Sequence, residues 1–110
     1  MELLEYQTED TKRPFGDWFD SLDAIAAVRI NTALTRLAAG NLSNVEPVGA
    51  GVAECKIDWG PGYRIYFGKD GERIVILLTG GTKKRQSADI AKAKRFWDDY
   101  KRRKRLSRAP

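Results

Sequence analysis

Residues 51–79, GVAECKIDWGPGYRIYFGKDGERIVILLT, set the architecture. Ala53, Cys55, Ile57 and Trp59 are apolar while Glu54, Lys56 and Asp58 are polar, and a period of two belongs to a half-buried strand. Gly60-Pro61-Gly62 is a turn signal. Alternation resumes with Tyr63, Ile65 and Phe67 against Arg64 and Tyr66. Asp70-Gly71 is a strong hairpin signal, and the following Glu72–Thr79 is apolar on both faces, as a central strand requires. Gly80-Gly81 ends it. The pattern predicts three strands joined as an antiparallel meander.

On both sides of this core the period becomes helical. Upstream, Phe15, Trp18, Phe19 and Leu22 recur at i, i+3, i+4 and i+7 behind Pro14, a residue suited to a first helical turn. Asp23 can cap a second helix with Ile30, Ala33, Leu34 and Leu37 on one stripe, and Gly40-Asn41 stops it. Asn41–Ala50 reads as a polar loop, and Leu3–Gln7 as a short first strand. Downstream, Ser87 is a plausible N-cap for a last helix that carries Ile90, Ala93, Trp97 and Tyr100. That helix runs into the basic tail Lys101–Arg105.

If Gly60–Gly62 is a three-residue loop and Asp70-Gly71 a two-residue one, Asp58 faces Arg64, Lys56 faces Tyr66, and Tyr66 in turn faces Val75. Cys55, Ile57, Ile65, Phe67, Ile74 and Ile76 would then form the face that the helices cover. Glu54, Lys56, Asp58, Arg64 and Tyr66 would line the opposite face, polar and partly open. Such a face can be an ordinary solvated surface with an Asp58–Arg64 ion pair. It can also be a site in which Lys56, Arg64 and Tyr66, joined by Lys83, Lys84 and Arg85, surround a phosphodiester.

The chain has 110 residues, 20 Lys and Arg, 15 Asp and Glu, one Cys and no His. That length permits one domain, expected over residues 1–100 with a basic tail over 101–110. An internal disulfide, a Cys/His zinc site and a His-dependent triad are excluded, and no cofactor is expected. Residues 1–82 carry 8 basic and 12 acidic side chains, whereas residues 83–110 carry 12 and 3, so the whole basic excess lies in the last quarter. That asymmetry fits a polyanion-binding face, and it fits a solvated helix end equally. Nothing at the start resembles a secretory signal and no stretch is long and apolar enough for a membrane helix, so a cytoplasmic protein that binds no membrane is expected.

Several segments, taken in order, resemble one family. They are Phe15, Trp18 and Leu22; Asn31, Leu34, Arg36-Leu37 and Gly40-Asn41; Gly51-Val-Ala-Glu54; Gly60-Pro-Gly-Tyr63-Arg64-Ile-Tyr66-Phe; Leu77-Leu-Thr-Gly80-Gly81-Thr-Lys83; and Gln86, Asp89-Ile90 and Ala93. Over about residues 3–100 the chain resembles the addiction-module killer proteins, the HigB-like, phage Gp49-like branch of the RelE/ParE toxin superfamily. The resemblance implies an α+β fold of order β-α-α-β-β-β-α, with a helical hairpin and a C-terminal helix packed on a small, mainly antiparallel sheet.

It also implies the toxin of a type II toxin–antitoxin system. Members similar to RelE and HigB are ribosome-dependent endoribonucleases, or mRNA interferases. In these the 2′-hydroxyl of the RNA attacks the adjacent phosphate and leaves a 2′,3′-cyclic phosphate. Members similar to ParE inhibit DNA gyrase instead, and a third alternative is a non-catalytic member that binds only antitoxin and operator. Fold alone does not choose among them. Carried over residue by residue, Arg64 lies where RelE-like nucleases have the arginine that contacts the scissile phosphate. Lys56 lies near their substrate-binding or general-base lysines, with Glu54 where RelE has a second lysine. Tyr66 stands in for a catalytic tyrosine, since Tyr100 falls on the apolar stripe, and Lys83 sits in the loop typical of this branch. Lys84, Arg85, Gln86, Lys101, Arg102 and Arg103 are the expected RNA-binding residues. The implied partners are a cognate helix-turn-helix antitoxin, the ribosome with its mRNA, and operator DNA reached through the antitoxin complex.

Overall fold

A computed structural model describes residues 1–107. The chain runs β1 (Glu2–Glu5), α1 (Pro14–Asp20), α2 (Ala24–Ala38), β2 (Val45–Gly49), β3 (Val52–Ile57), β4 (Tyr63–Asp70), β5 (Ile74–Thr82), a single 3-10 turn (Lys83–Arg85) and α3 (Gln86–Ser107). Its five strands form one sheet in the order β1-β5-β4-β3-β2, in which β1 lies parallel to β5 and every other neighbour is antiparallel. The fold is α+β, as expected, with one strand more than the sequence pattern shows.

The additional strand is β2, inside the stretch that reads as a loop. Its sequence, Val-Glu-Pro-Val-Gly, contains two residues that normally argue against a strand. Pro47 is tolerated because β2 is the outer strand, where a missing N–H leaves no ladder bond unmade. A bulge between Pro47 and Gly49 bends the edge and limits further pairing along it. Gly80-Gly81, expected to end the central strand, lies inside it, since β5 continues to Thr82; two signals around α2 act as expected. The Asp23 carboxylate caps α2 by accepting from the Ala26 N–H at 2.8 Å, and Gly40 at φ +85° ends the helix. At the start of α3 the 3-10 turn takes the position assigned to the cap, and Ser87 lies within the helix.

Both hairpin registers differ from the sequence expectation. Between β3 and β4, Ile57 rather than Trp59 faces Tyr63, so the pairs are Lys56–Arg64 and Glu54–Tyr66. A shift of two residues preserves the faces, and the even-numbered residues of both strands still share one side. Between β4 and β5, Asp70 faces Ile74, which makes the connection three residues long instead of two. A shift by an odd number reverses the faces of β5. Val75 and Leu77 therefore join Ile65 and Phe67, while Ile76 turns to the opposite side. A bulge at Leu78, where Tyr66 pairs with Thr79 and Phe67 with Leu77, reverses the order once more.

The helices occupy both sides of the sheet. Phe15 of α1 and Ala26, Ile30 and Leu37 of α2 pack on Cys55, Ile65, Phe67, Val75 and Leu77. Ala93 and Trp97 of α3 pack on Val52, Tyr66, Ile76 and Leu78 across the sheet. The face expected to be polar and open is thus covered by α3, which corrects that expectation: Tyr66 is 0 % and Arg64 5 % exposed. Glycines make the close approach of helices possible on both faces. A Cβ on Gly80 would lie 2.2 Å from the Trp18 ring, one on Gly81 1.9 Å from an Asp89 carboxylate oxygen, and one on Gly68 2.5 Å from the Trp97 ring.

Candidate functional site

β3 and β4 turn Glu54, Lys56, Arg64 and Tyr66 toward α3, and β5 places Gly81 opposite Arg64 in the ladder. The start of α3 closes over them. Gln86, its first residue, donates from Nε2 to both carboxylate oxygens of Glu54, at 3.0 and 2.8 Å. Glu54 in turn lies 3.7 Å from Nε of Arg64, close enough for charge attraction but too long for a hydrogen bond. Arg64 also donates from Nη1 to the Tyr63 carbonyl at 3.0 Å. Both side chains of the ion pair are almost wholly buried. Such a pair offers little net stability relative to apolar packing, but losing one partner leaves the other charge stranded, at a cost of about 3–5 kcal/mol.

Among the described residues three buried polar atoms in this cluster have no hydrogen-bond partner: Arg64 Nε, the Tyr66 hydroxyl and Asp89 Oδ2. Native structures contain few such atoms, and a concentration of them at one place marks a site kept for something other than stability. Tyr66 is held in its protonated form. Burial, followed by the negative charges of Glu54 and Asp89, pushes its hydroxyl well above the ordinary phenol range. At neutral pH it can donate a proton in a hydrogen bond but cannot act as a base.

Lys83 stands at the mouth of this cluster. Its backbone N–H donates to the Gly62 carbonyl at 2.6 Å. A Cβ on Gly62, where φ is +78°, would lie 3.2 Å from Lys83 Cβ and 3.6 Å from Arg64 Nη1, so the Lys83 stem and the Arg64 guanidinium both pass the β3–β4 turn. Lys84 and Arg85 follow on the exposed 3-10 turn. Lys56 faces Arg64 across the ladder, and its Nζ pairs with Glu46 of β2 at 3.1 Å. One end of the molecule thus carries a rim of cations around a buried guanidinium.

The other basic residues have different surroundings. α3 continues through residues 101–107. Within it Lys101 lies over the Trp97 ring at 5.8 Å, Arg102 and Arg103 pair with Asp99 at 2.6 and 2.9 Å, and Lys104 pairs with Asp70. Residues 108–110 of the expected basic tail lie outside the described residues. Gln86 is committed to Glu54. Sequence reasoning did not assign roles to Glu54 as partner of Arg64 or to Asp89, although the two signals were present: a carboxylate on the same face as Arg64, and a glycine pair that a first-turn helix residue could approach. No cluster of three metal-ligating side chains occurs among the described residues.

The arrangement is that of a small three-layer α+β protein with a cationic rim over a buried arginine–glutamate pair. Residues 17–98 match the family described as phage-derived protein Gp49-like (DUF891), and the chain belongs to that family, which is of the toxin–antitoxin type. A Haemophilus influenzae protein described only as uncharacterized is 39% identical to it over 85 residues, which is 76% of this chain and 86% of that protein.

Proposed function

We propose that this chain is the toxin of a type II toxin–antitoxin pair and acts as a ribosome-dependent mRNA endoribonuclease. The observation that carries the reading is the placement of Arg64: a guanidinium buried beside Glu54, anchored to the Tyr63 carbonyl, with its outer nitrogen and the Lys83 side-chain stem both beside Gly62. In the reaction the 2′-hydroxyl oxygen bonds to the adjacent phosphorus as the bond to the 5′-oxygen breaks. Its proton passes to a base and the 5′-oxygen gains one, giving a 2′,3′-cyclic phosphate and a 5′-hydroxyl. Negative charge grows on the phosphate oxygens in between, where a preorganised guanidinium in a water-poor setting stabilises it most. Lys83 and Lys56 add charge at the same end, and Lys84 and Arg85 hold flanking phosphates. Tyr66, wholly buried and held protonated, supplies no base. With little acid–base equipment of its own the chain depends on positioning, which the ribosome would provide. A neighbouring helix-turn-helix antitoxin, bound also to operator DNA, would hold the toxin inactive.

A gyrase-inhibitor reading draws support from one observation: Tyr66 and Glu54 are closed off beneath α3. The experiment that separates the two is inducible expression of the chain alone, with new 5′ ends mapped in cellular mRNA while DNA synthesis is followed. Arg64→Lys is the informative variant, because it retains a charge for Glu54 but loses the planar fork. Cuts within translated frames that vanish in Arg64→Lys and weaken in Lys83→Ala support the nuclease. Intact mRNA with stalled replication transfers the reading to gyrase.

A further inference from the structure

β1 pairs with β5 only from Glu2–Ile74 to Glu5–Leu77, so among the described residues Thr79–Thr82 has β4 on one side and no strand on the other. A groove of about 480 Å³ opens there between α1 and α3. Gly80 and Gly81 line it, Trp18 contributes an aromatic ring from α1, and Arg85, Asp89, Lys92 and Arg95 come from the opposite wall.

Two independent observations point to a ligand. Arg85, Lys92 and Arg95 form no ion pair among the described residues, whereas farther along α3 Arg102, Arg103 and Lys104 are all paired. Asp89 is 5 % exposed, and its Oδ2 has no hydrogen-bond partner among the described residues. Three free cations call for an anion, while an orphaned carboxylate calls for an N–H donor. A nucleotide supplies both, together with a flat base for the Trp18 ring. The groove also adjoins Arg64, because Gly81 is its cross-strand neighbour.

We propose that this groove is a subsite for the nucleotide next to the phosphate held by Arg64. Its phosphate lies on Arg85, Lys92 and Arg95, its base stacks on Trp18, and Asp89 accepts from an N–H of that base. This rests on the ribonuclease reading and fixes the path of the RNA: from the Lys83 rim, over the free end of β5, between α1 and α3.

The test is binding of a 2′-O-methyl RNA trinucleotide to the full chain, followed by calorimetry at several salt concentrations. Such a trimer lacks the attacking hydroxyl, so affinity is read without cleavage. The double variant Lys92→Ala/Arg95→Ala should weaken binding about tenfold and flatten its salt dependence. Lys94→Ala, on the flank of α3 that faces Gly49, should stay within about twofold, because its charge lies off the proposed path. Asp89→Asn should weaken binding, since a charged acceptor is stronger than a neutral one; a carboxylate that merely repelled phosphate would make this variant bind more tightly. Circular dichroism reports whether each variant is folded. Binding by the double variant within about twofold of the parent, or an equal loss in Lys94→Ala, overturns the subsite. The two readings fail separately. If expressed protein cuts no mRNA but the trimer binds with these variant effects, the nuclease falls and the groove stands; if mRNA is cut and the double variant binds as the parent does, the groove falls alone.

Discussion

The two faces of the sheet are built from the same strands, yet their interiors differ. Under α1 and α2 the contacts are apolar from end to end, from Leu37 to Phe15 on the helices and from Cys55 to Leu77 on the strands. Under α3 the apolar packing of Trp97, Ile76 and Val52 gives way, toward Gln86, to Glu54, Arg64, Tyr66 and Asp89. One face serves stability alone. The other carries buried charge and orphaned polar atoms at one end, which a sequence selected only for stability would replace with leucine or methionine.

Mutations can break this contrast or sharpen it. The largest effect is expected on the apolar face, where Phe67→Ala should cost about 4 kcal/mol in denaturant unfolding through lost transfer energy and the cavity left behind. On the polar face Glu54→Gln should cost about 3 kcal/mol by stranding Arg64. The double variant Arg64→Met/Glu54→Met, by contrast, should recover the parent's midpoint while losing toxicity. If the double variant stays as unstable as the single one, the pair is a structural necessity and the contrast collapses. Gln86→Ala should cost about 1 kcal/mol for the hydrogen bonds to Glu54. Lys56→Ala, which breaks only the exposed pair with Glu46, should change stability by about 0.5 kcal/mol or less.

A pH titration gives a further comparison within the α3 face. The Tyr6 hydroxyl, buried and bonded to Asp99 Oδ2 at 2.6 Å, is pushed up to about 12. A phenol raised in the folded state above its ordinary value contributes stability that is present in full below about pH 10 and is lost as pH rises through 12. Tyr66 is raised in the same direction. Unfolding free energy should therefore fall above pH 10, and Tyr6→Phe should make that fall shallower. An unchanged slope in Tyr6→Phe would assign the alkaline loss to Tyr66 or other groups.

The sequence discloses element types well where a local signal had one physical meaning. Pro14, Asp23, Gly40 and the alternation from Ala53 to Ile57 were of this kind. It was silent where the deciding fact was tertiary. Pro47 excludes a central strand and says nothing against an outer one, so β2 passed for a loop. The run Ile74–Leu78 is apolar at every position, so it carries no parity, and only the turn length and the bulge at Leu78 reveal which residues face α3. The candidate site was half visible for the same reason. Arg64, Lys56 and Tyr66 shared a face under either register, because that error was even. Whether the face was open depended on where α3 packs, and an amphipathic stripe does not say which side of a sheet it will meet.

The parallel pairing of β1 with β5 has a consequence for the order of events during synthesis. β1 cannot be laid into the sheet until Ile74–Leu77 has been made, and α3, which seals Glu54 and Arg64, is made later still. A chain interrupted before Gln86 would present its buried charges bare. The finished polarity of the α3 face therefore belongs only to copies that include α3, and shorter ones would display unpaired strand edges that invite aggregation and proteolysis.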